Sequence, residues 1–266
     1  MRSSDFLATH AVFTQAEFVS ARGSEAGTAR TADSLLARQL ASGRLLHVRR
    51  GLYATVPPGA SQDTFRPDPY LVATKLAADA AVAYHAALQF RGKTYSVWHR
   101  FTVLAKSRLR ALHFRGDDFV GMKPPRALRA LPEHGGGIVS EPHAGGVVRV
   151  TSFERTLVDL LDRPDLGGGW EEVWRSLEMV DFFDLDAVVS HALRRSSALL
   201  AARVGYFLEE HRDALFVEDR HLEPLREHTP KQPLYLDRKR EPGRLVKAWN
   251  LVVPERVLER AWAEVS

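Results

Sequence analysis

The sequence predicts an α+β fold: a winged helix-turn-helix over residues 1–57, a linker over 58–69, and a domain over 70–266 in which helices cover a small sheet. Three observations carry this. Residues 28–57 read as an amphipathic helix, a glycine stop and two short strands joined by an arginine-bearing tip. Residues 95–150 alternate apolar and polar side chains between glycine-rich turns, and from Thr151 the apolar spacing returns to 3.6 residues.

Taken in order, a first helix is expected through Phe6, Leu7, Val12 and Phe13. Thr14-Gln15-Ala16-Glu17 has the pattern of a capping box, in which the threonine hydroxyl takes a first-turn amide and the glutamate reaches back. It opens a short second helix ending at Gly23, and a turn from Gly23 to Gly27 leads to the third. In that third helix Leu35, Leu36, Gln39 and Leu40 share one face, while Arg30, Ser34 and Arg38 run down the other at intervals of four. Gly43 stops it. Leu45, Leu46 and Val48 form a strand, Arg49-Arg50-Gly51 a tight turn, and Leu52, Tyr53, Thr55 and Val56 the return strand.

Pro57-Pro58-Gly59 and the polar run to Pro69 break the pattern. Tyr70 to Phe90 reads as two helices, the second containing Tyr84-His85-Ala86-Ala87-Leu88. Strands are expected at Tyr95–Trp98, Phe101–Leu104, Leu112–Phe114, Phe119-Val120, Gly137–Val139 and Val147–Val150. Thr151-Ser152-Phe153-Glu154 reads as a second capping box, opening a helix that stops at Arg163-Pro164. Helices then follow around Trp170–Val180, from Asp184 or Asp186 to Arg195, and from Ser196 or Ser197 through Glu209. The tail offers strands at Leu234–Leu236 and Trp249–Val253 and a helix from Pro254.

With 266 residues, 45% hydrophobic and 26% charged, the chain can bury a core and has the composition of a globular protein. It has no cysteine, which excludes disulfides, a thiolate nucleophile and cysteine-ligated zinc. No apolar run approaches the roughly 20 residues of a membrane span, and no signal-peptide core follows the start. A cytoplasmic, non-membrane protein is the expectation. A formal charge of +4 suits an anionic partner without identifying one.

The arginines of the N-terminal module suggest that partner. A helix fits the major groove, and a guanidinium can bond two acceptors of guanine at once. Arg30, Thr31, Ser34 and Arg38 on the helix are the candidate base readers; Arg49 and Arg50 at the wing tip, with His47, are the candidate phosphate or minor-groove contacts; and Arg44 is a DNA-binding candidate that either role suits. A second basic tract interleaves Lys93, Arg100, Lys106, Arg108, Arg110 and Arg115 with Tyr95, Trp98, Phe101 and Phe114. Strand alternation would put charges on one face and aromatics on the other, which gives a core side and a solvated or RNA-facing side, with nucleic acid or a toxin as the candidate contact.

Arg49-Arg50-Gly51-Leu52-Tyr53, Tyr84-His85-Ala86-Ala87-Leu88, Val150 to Asp159 (VTSFERTLVD) and Gly243 to Asn250 (GRLVKAWN) together resemble the AbiEi family, antitoxins and transcriptional regulators of type IV toxin-antitoxin, or abortive-infection, systems. The resemblance spans nearly the whole chain. It implies a winged helix that binds operator DNA and represses its own operon, and a C-terminal domain that counteracts a nucleotidyltransferase-like toxin. Arg100, Lys106, Arg108, Arg110 and Arg155 are the candidate residues of that antitoxin domain. Arg155 and Asp159 are four apart and suit a helix-surface pair fixing the helix against the sheet; His85, in an apolar helix, suits a hydrogen-bonded core position.

Two rival classes remain: a transcription factor whose second domain senses a ligand, and a metal-dependent nuclease. The latter would use Asp237-Arg238-Lys239 after a strand, but no second acid is convincingly placed beside it. Walker, Gly-x-Ser-x-Gly and His-Glu-x-x-His motifs are absent, and His211, His221 and His228 lack a defensible metal spacing. The expectation is a protein without enzymatic activity, cofactor or metal.

Overall fold

The computed structural model describes residues 3–22 and 28–260. It is a mixed α and β structure that divides into two compact units. The first comprises residues 1–82, 99–123 and 139–150; the second comprises 83–98, 124–138 and 151–266.

The first unit opens with α1 (Ser3–Thr9), β1 (Val12–Thr14), α2 (Gln15–Ser20), α3 (Thr28–Ala41), β2 (Leu45–Arg49) and β3 (Leu52–Thr55), the strands lying in the order β1-β3-β2. Phe6, Phe13, Phe18, Ala32, Leu36 and Leu45 form its core. The capping box forms: Glu17 N–H donates to Thr14 Oγ1 at 3.2 Å, and Thr14 N–H donates to Glu17 Oε2 at 2.8 Å. After α3, Gly43 takes φ +73°, its N–H bonds Leu40 O, and the Arg44 N–H bonds Gln39 O, which terminates the helix with its last carbonyls satisfied. Gly51, at φ +75°, lets the chain reverse between β2 and β3.

Val12 and Phe13 are not helical, contrary to the sequence expectation. They pair with Ala54 and Tyr53 in β1, because β3 supplies an edge on which a β-branched and an aromatic residue can both be buried. The expected turn from Gly23 to Gly27 lies outside the described residues.

The remainder of this unit holds α4 (Pro69–Thr74), β4 (Ala81–Val82), β5 (Arg100–Leu104), β6 (Leu112–Phe114), β7 (Asp117–Met122), β8 (Ile138–His143) and β9 (Gly146–Thr151). Six of these strands make one sheet in the order β6-β7-β5-β4-β9-β8. The expected strand at Tyr95–Trp98 is instead an extended strap. Its amides are taken by side chains rather than by a neighbouring strand: Tyr95 N–H by Ser176 Oγ at 3.0 Å, Ser96 N–H by Glu172 at 2.9 Å and Trp98 N–H by Gln89 at 2.7 Å.

The second unit is mainly helical: α5 (His85–Phe90), α6 (Phe153–Asp162), α7 (Trp170–Glu178), α8 (Leu185–Leu193), α9 (Ala198–Glu210), α10 (Asp219–Arg226) and α11 (Glu255–Leu258), with a three-stranded sheet of β10 (Leu234–Tyr235), β11 (Gly243–Val246) and β12 (Leu251–Pro254). Gly205 of α9 admits the Trp249 indole, since a Cβ there would sit 2.1 Å from the ring. The second expected capping box is replaced by a simpler cap. Ser152 accepts the Arg155 N–H at 3.2 Å, Thr151 ends β9, and Glu154 accepts the amide of Asp184 at 3.3 Å instead of reaching back. Helix α10 and strand β11 were not expected; Pro224 inside α10 and the His221 side chain in its cap hide it from pattern reading. Trp249 belongs to a short 3-10 turn before β12.

Candidate nucleic-acid interface

The amphipathic division of α3 is realised. Ala32 and Leu36 are buried and Leu35, Gln39 and Leu40 half-buried, whereas Thr31, Asp33, Ser34, Ala37 and Arg38 are exposed. Packing on one side therefore fixes which residues stand outward on the other. The Arg38 side chain is exposed and makes no hydrogen bond or ion pair with any described residue. The side chain of Arg30 lies outside the described residues. Gln15 Nε2 donates to Asp33 Oδ1 at 2.5 Å, tying α2 to the outward edge of α3.

The wing is β2, the 49–52 turn and β3. His47 pairs across the ladder with Tyr53 and packs on its ring at 5.6 Å; it is exposed, as are Arg44 and Arg50. The two tip arginines diverge. Arg50 points to solvent and has no partner among the described residues, but Arg49 is half-buried and its guanidinium donates to the Leu76 carbonyl. Burial pulls the Arg49 pKa below the ordinary arginine value. Gln62 braces the base of the module by donating to Leu45 O at 2.7 Å. Lys75 bonds Glu17, the capping-box glutamate, and those contacts hold its carboxyl below the usual range against the opposing effect of burial.

The candidates from the second basic tract separate. Arg100, Lys106, Arg108 and Arg110 are exposed on β5 and on the loop joining β5 to β6, in the first unit. Arg155 is not on a surface. It is 1% exposed and Asp159 0% exposed, and the expected helix-surface pair is a core network. Arg155 Nε donates to Asp159 Oδ2 at 2.9 Å and its Nη1 to Gly136 O at 2.7 Å; Arg195 Nη2 donates to Asp159 Oδ1 at 2.7 Å and to Asp162 at 3.2 Å. Two guanidiniums neutralise one fully buried carboxylate, which is how a charge inside a helical core is made tolerable. A partner cannot reach Arg155 there, so it is withdrawn as a contact residue.

Neighbouring titratable groups follow the same logic. His191 is buried beside Arg155 and Arg194, and burial first, then those charges, depress its pKa to about 4. His85 is a core histidine, stacked on Trp98 at 3.7 Å and bonded to Glu172 at 3.2 Å; burial lowers its pKa. Asp237, the acid of the Asp-x-Lys segment, faces Arg256 at 3.7 Å. No group of three or more His, Asp or Glu among the described residues is arranged to hold a metal ion, and no described helix is long and apolar enough to cross a membrane.

Lys75, bonded to Glu17, and Arg149, bonded to Ala78 O, are further basic residues of the first unit that the sequence pattern does not single out.

The fold is similar to the crystal structure of the RV2827C protein from Mycobacterium tuberculosis, with a TM-score of 0.55 and 17% identity, covering 98% of this chain and 92% of that one. No family model matches the chain, and no curated protein does. At this identity the likeness speaks to fold alone.

Proposed function

We propose that this chain is a DNA-binding transcriptional regulator whose residues 3–56 act as a winged helix, with α3 lying in the major groove and the wing against the adjacent backbone. The element order α-β-α-α-β-β with sheet order β1-β3-β2 supports the module. The observation that carries the reading is the outward face of α3 together with the wing tip. Arg38 and Arg50 stand exposed and uncommitted among the described residues, on elements whose opposite faces are locked into an aromatic core. A groove about 12 Å wide accepts one such helix. Arg38, with Thr31 and Ser34, reads bases; Arg50, Arg44 and His47 meet phosphates; Arg49 positions the wing through Leu76.

From the motifs resembling AbiEi, we further propose that the regulator represses its own operon in the cytoplasm and that residues 70–266 oppose a nucleotidyltransferase-like toxin. Gel-shift titration of the full chain on the DNA upstream of its own gene tests the first part. Arg38→Ala is expected to weaken the operator complex far more than an unrelated duplex, and Arg50→Ala to weaken both alike. Equal operator affinity in wild type and both variants overturns the assignment. Co-expression with the adjacent gene product tests the second part: growth rescue by the full chain supports it, and toxicity unaffected by the chain rejects it.

A further inference from the structure

Arg100, Lys106, Arg108 and Arg110, candidates for the antitoxin function, lie in the same unit as the wing. The junction is the turn after α4. Leu76 O accepts the wing's Arg49, Ala78 O accepts Arg149 Nη1 from β9 at 3.2 Å, and Asp79 Oδ2 accepts the Lys106 N–H at 2.8 Å from the loop between β5 and β6. Leu76 and Asp79 are three residues apart, so their Cα atoms are at most about 11 Å apart. One short turn therefore clamps the wing and that loop side by side.

The loop is built to present charge. Leu109 seats against Gly121 of β7, where a Cβ would come within 2.4 Å of the Leu109 Cβ. With that anchor packed on the strand, Arg108 and Arg110 on either side of it are exposed and have no partner among the described residues. The nearest clamp acid, Asp79, is committed to the Lys106 amide, and Lys75 to Glu17. Two exposed arginines flanking one anchored residue, with no carboxylate paired to either among the described residues, favour an anionic partner.

We propose that the 105–111 loop is a second duplex contact, gripping the phosphate backbone that runs past the wing and lengthening the footprint of the α3 module. The proposal rests on the DNA reading above. Contiguity with the wing favours duplex DNA as the partner. Single-stranded nucleic acid is disfavoured, because residues 105–111 (AKSRLRA) carry no aromatic ring on which a base could stack.

The test compares full-length wild type, Arg108→Ala/Arg110→Ala and Arg108→Lys/Arg110→Lys on the upstream duplex and on an unrelated duplex of equal length, across a salt series, with nuclease footprinting. The alanine pair is expected to flatten the slope of log K against log salt by about 1.8, or about 0.9 for each phosphate that is no longer neutralised, equally on both duplexes. It should also shorten protection on the wing side. The lysine pair keeps the slope, which also shows that a weakened alanine pair is not misfolded. An unchanged slope and footprint in the alanine pair, while wild type binds the operator and Arg38→Ala binds it more weakly, overturns this proposal and leaves the DNA reading standing. Failure of wild type to bind any duplex overturns both. Loss of binding to single-stranded RNA with the duplex slope intact also counts against it.

Discussion

Arginine serves opposite ends in the two units. In the first, Arg38, Arg50, Arg108 and Arg110 stand in solvent on a helix, a turn and a loop anchored by packed apolar neighbours. In the second, Arg155, Arg195 and Arg203 are themselves the buried material. Arg203 donates to Leu161 O at 2.9 Å and Asp162 O at 3.1 Å, and burial lowers its pKa to about 10. A stripe such as Arg30, Ser34 and Arg38, at intervals of four, and an Arg–Asp pair at the same interval look alike on a helical wheel. What separates them is whether another helix covers that face: α8 and α9 pack on α6, whereas the Arg38 face of α3 is left open.

This contrast can be broken first at its buried end. Asp159→Ala strands Arg155 and Arg195 without their shared carboxylate, and chemical denaturation should report a loss of about 3–5 kcal/mol. A loss under about 1 kcal/mol would mean that the network is solvated. Acid provides a second probe. His191 and His85 are neutral in the folded chain because their pKa values are depressed, whereas the unfolded chain takes up protons near pH 6.5. Stability is therefore present above about pH 6.5 and declines as pH falls, the His191 contribution to that decline ending near pH 4. His191→Gln should flatten this part of the curve; an identical curve would place His191 in contact with water.

At the exposed end the effects are smaller and fall on binding rather than folding. Arg38→Ala should leave the melting temperature unchanged while costing about 1–3 kcal/mol of operator binding. A melting shift of several degrees would instead give Arg38 a structural part. Thr14→Ala, which removes the α2 cap, should cost about 1 kcal/mol of stability by denaturation and leave the salt dependence of binding alone.

Local chemistry was legible where it is sufficient to specify structure. The Thr14 to Glu17 box, the glycine stop at Gly43, the turn at Gly51 and the buried face of α3 depend on residues within a few positions of one another, and all can be read directly. Features set by distant partners were not. Val12 and Phe13 become a strand only because β3 returns beside them, Arg155 sinks into the core only because Arg195 arrives from far downstream, and the strap at Tyr95–Trp98 finds its acceptors on α5 and α7. Within the candidate interface, the exposure of Arg38 and Arg50 followed from periodicity. The inward turn of Arg49 did not, since its acceptor, Leu76, lies 27 residues away.

The most direct test of the central claim, that the open face of α3 and its wing meet duplex DNA, is the affinity of the full chain for the duplex upstream of its gene, measured across a salt series against an unrelated duplex. The account predicts a steep fall of affinity with salt on both duplexes and a preference for the upstream sequence that Arg38→Ala abolishes. Affinity that is insensitive to salt, or a preference that survives the loss of Arg38, would contradict it.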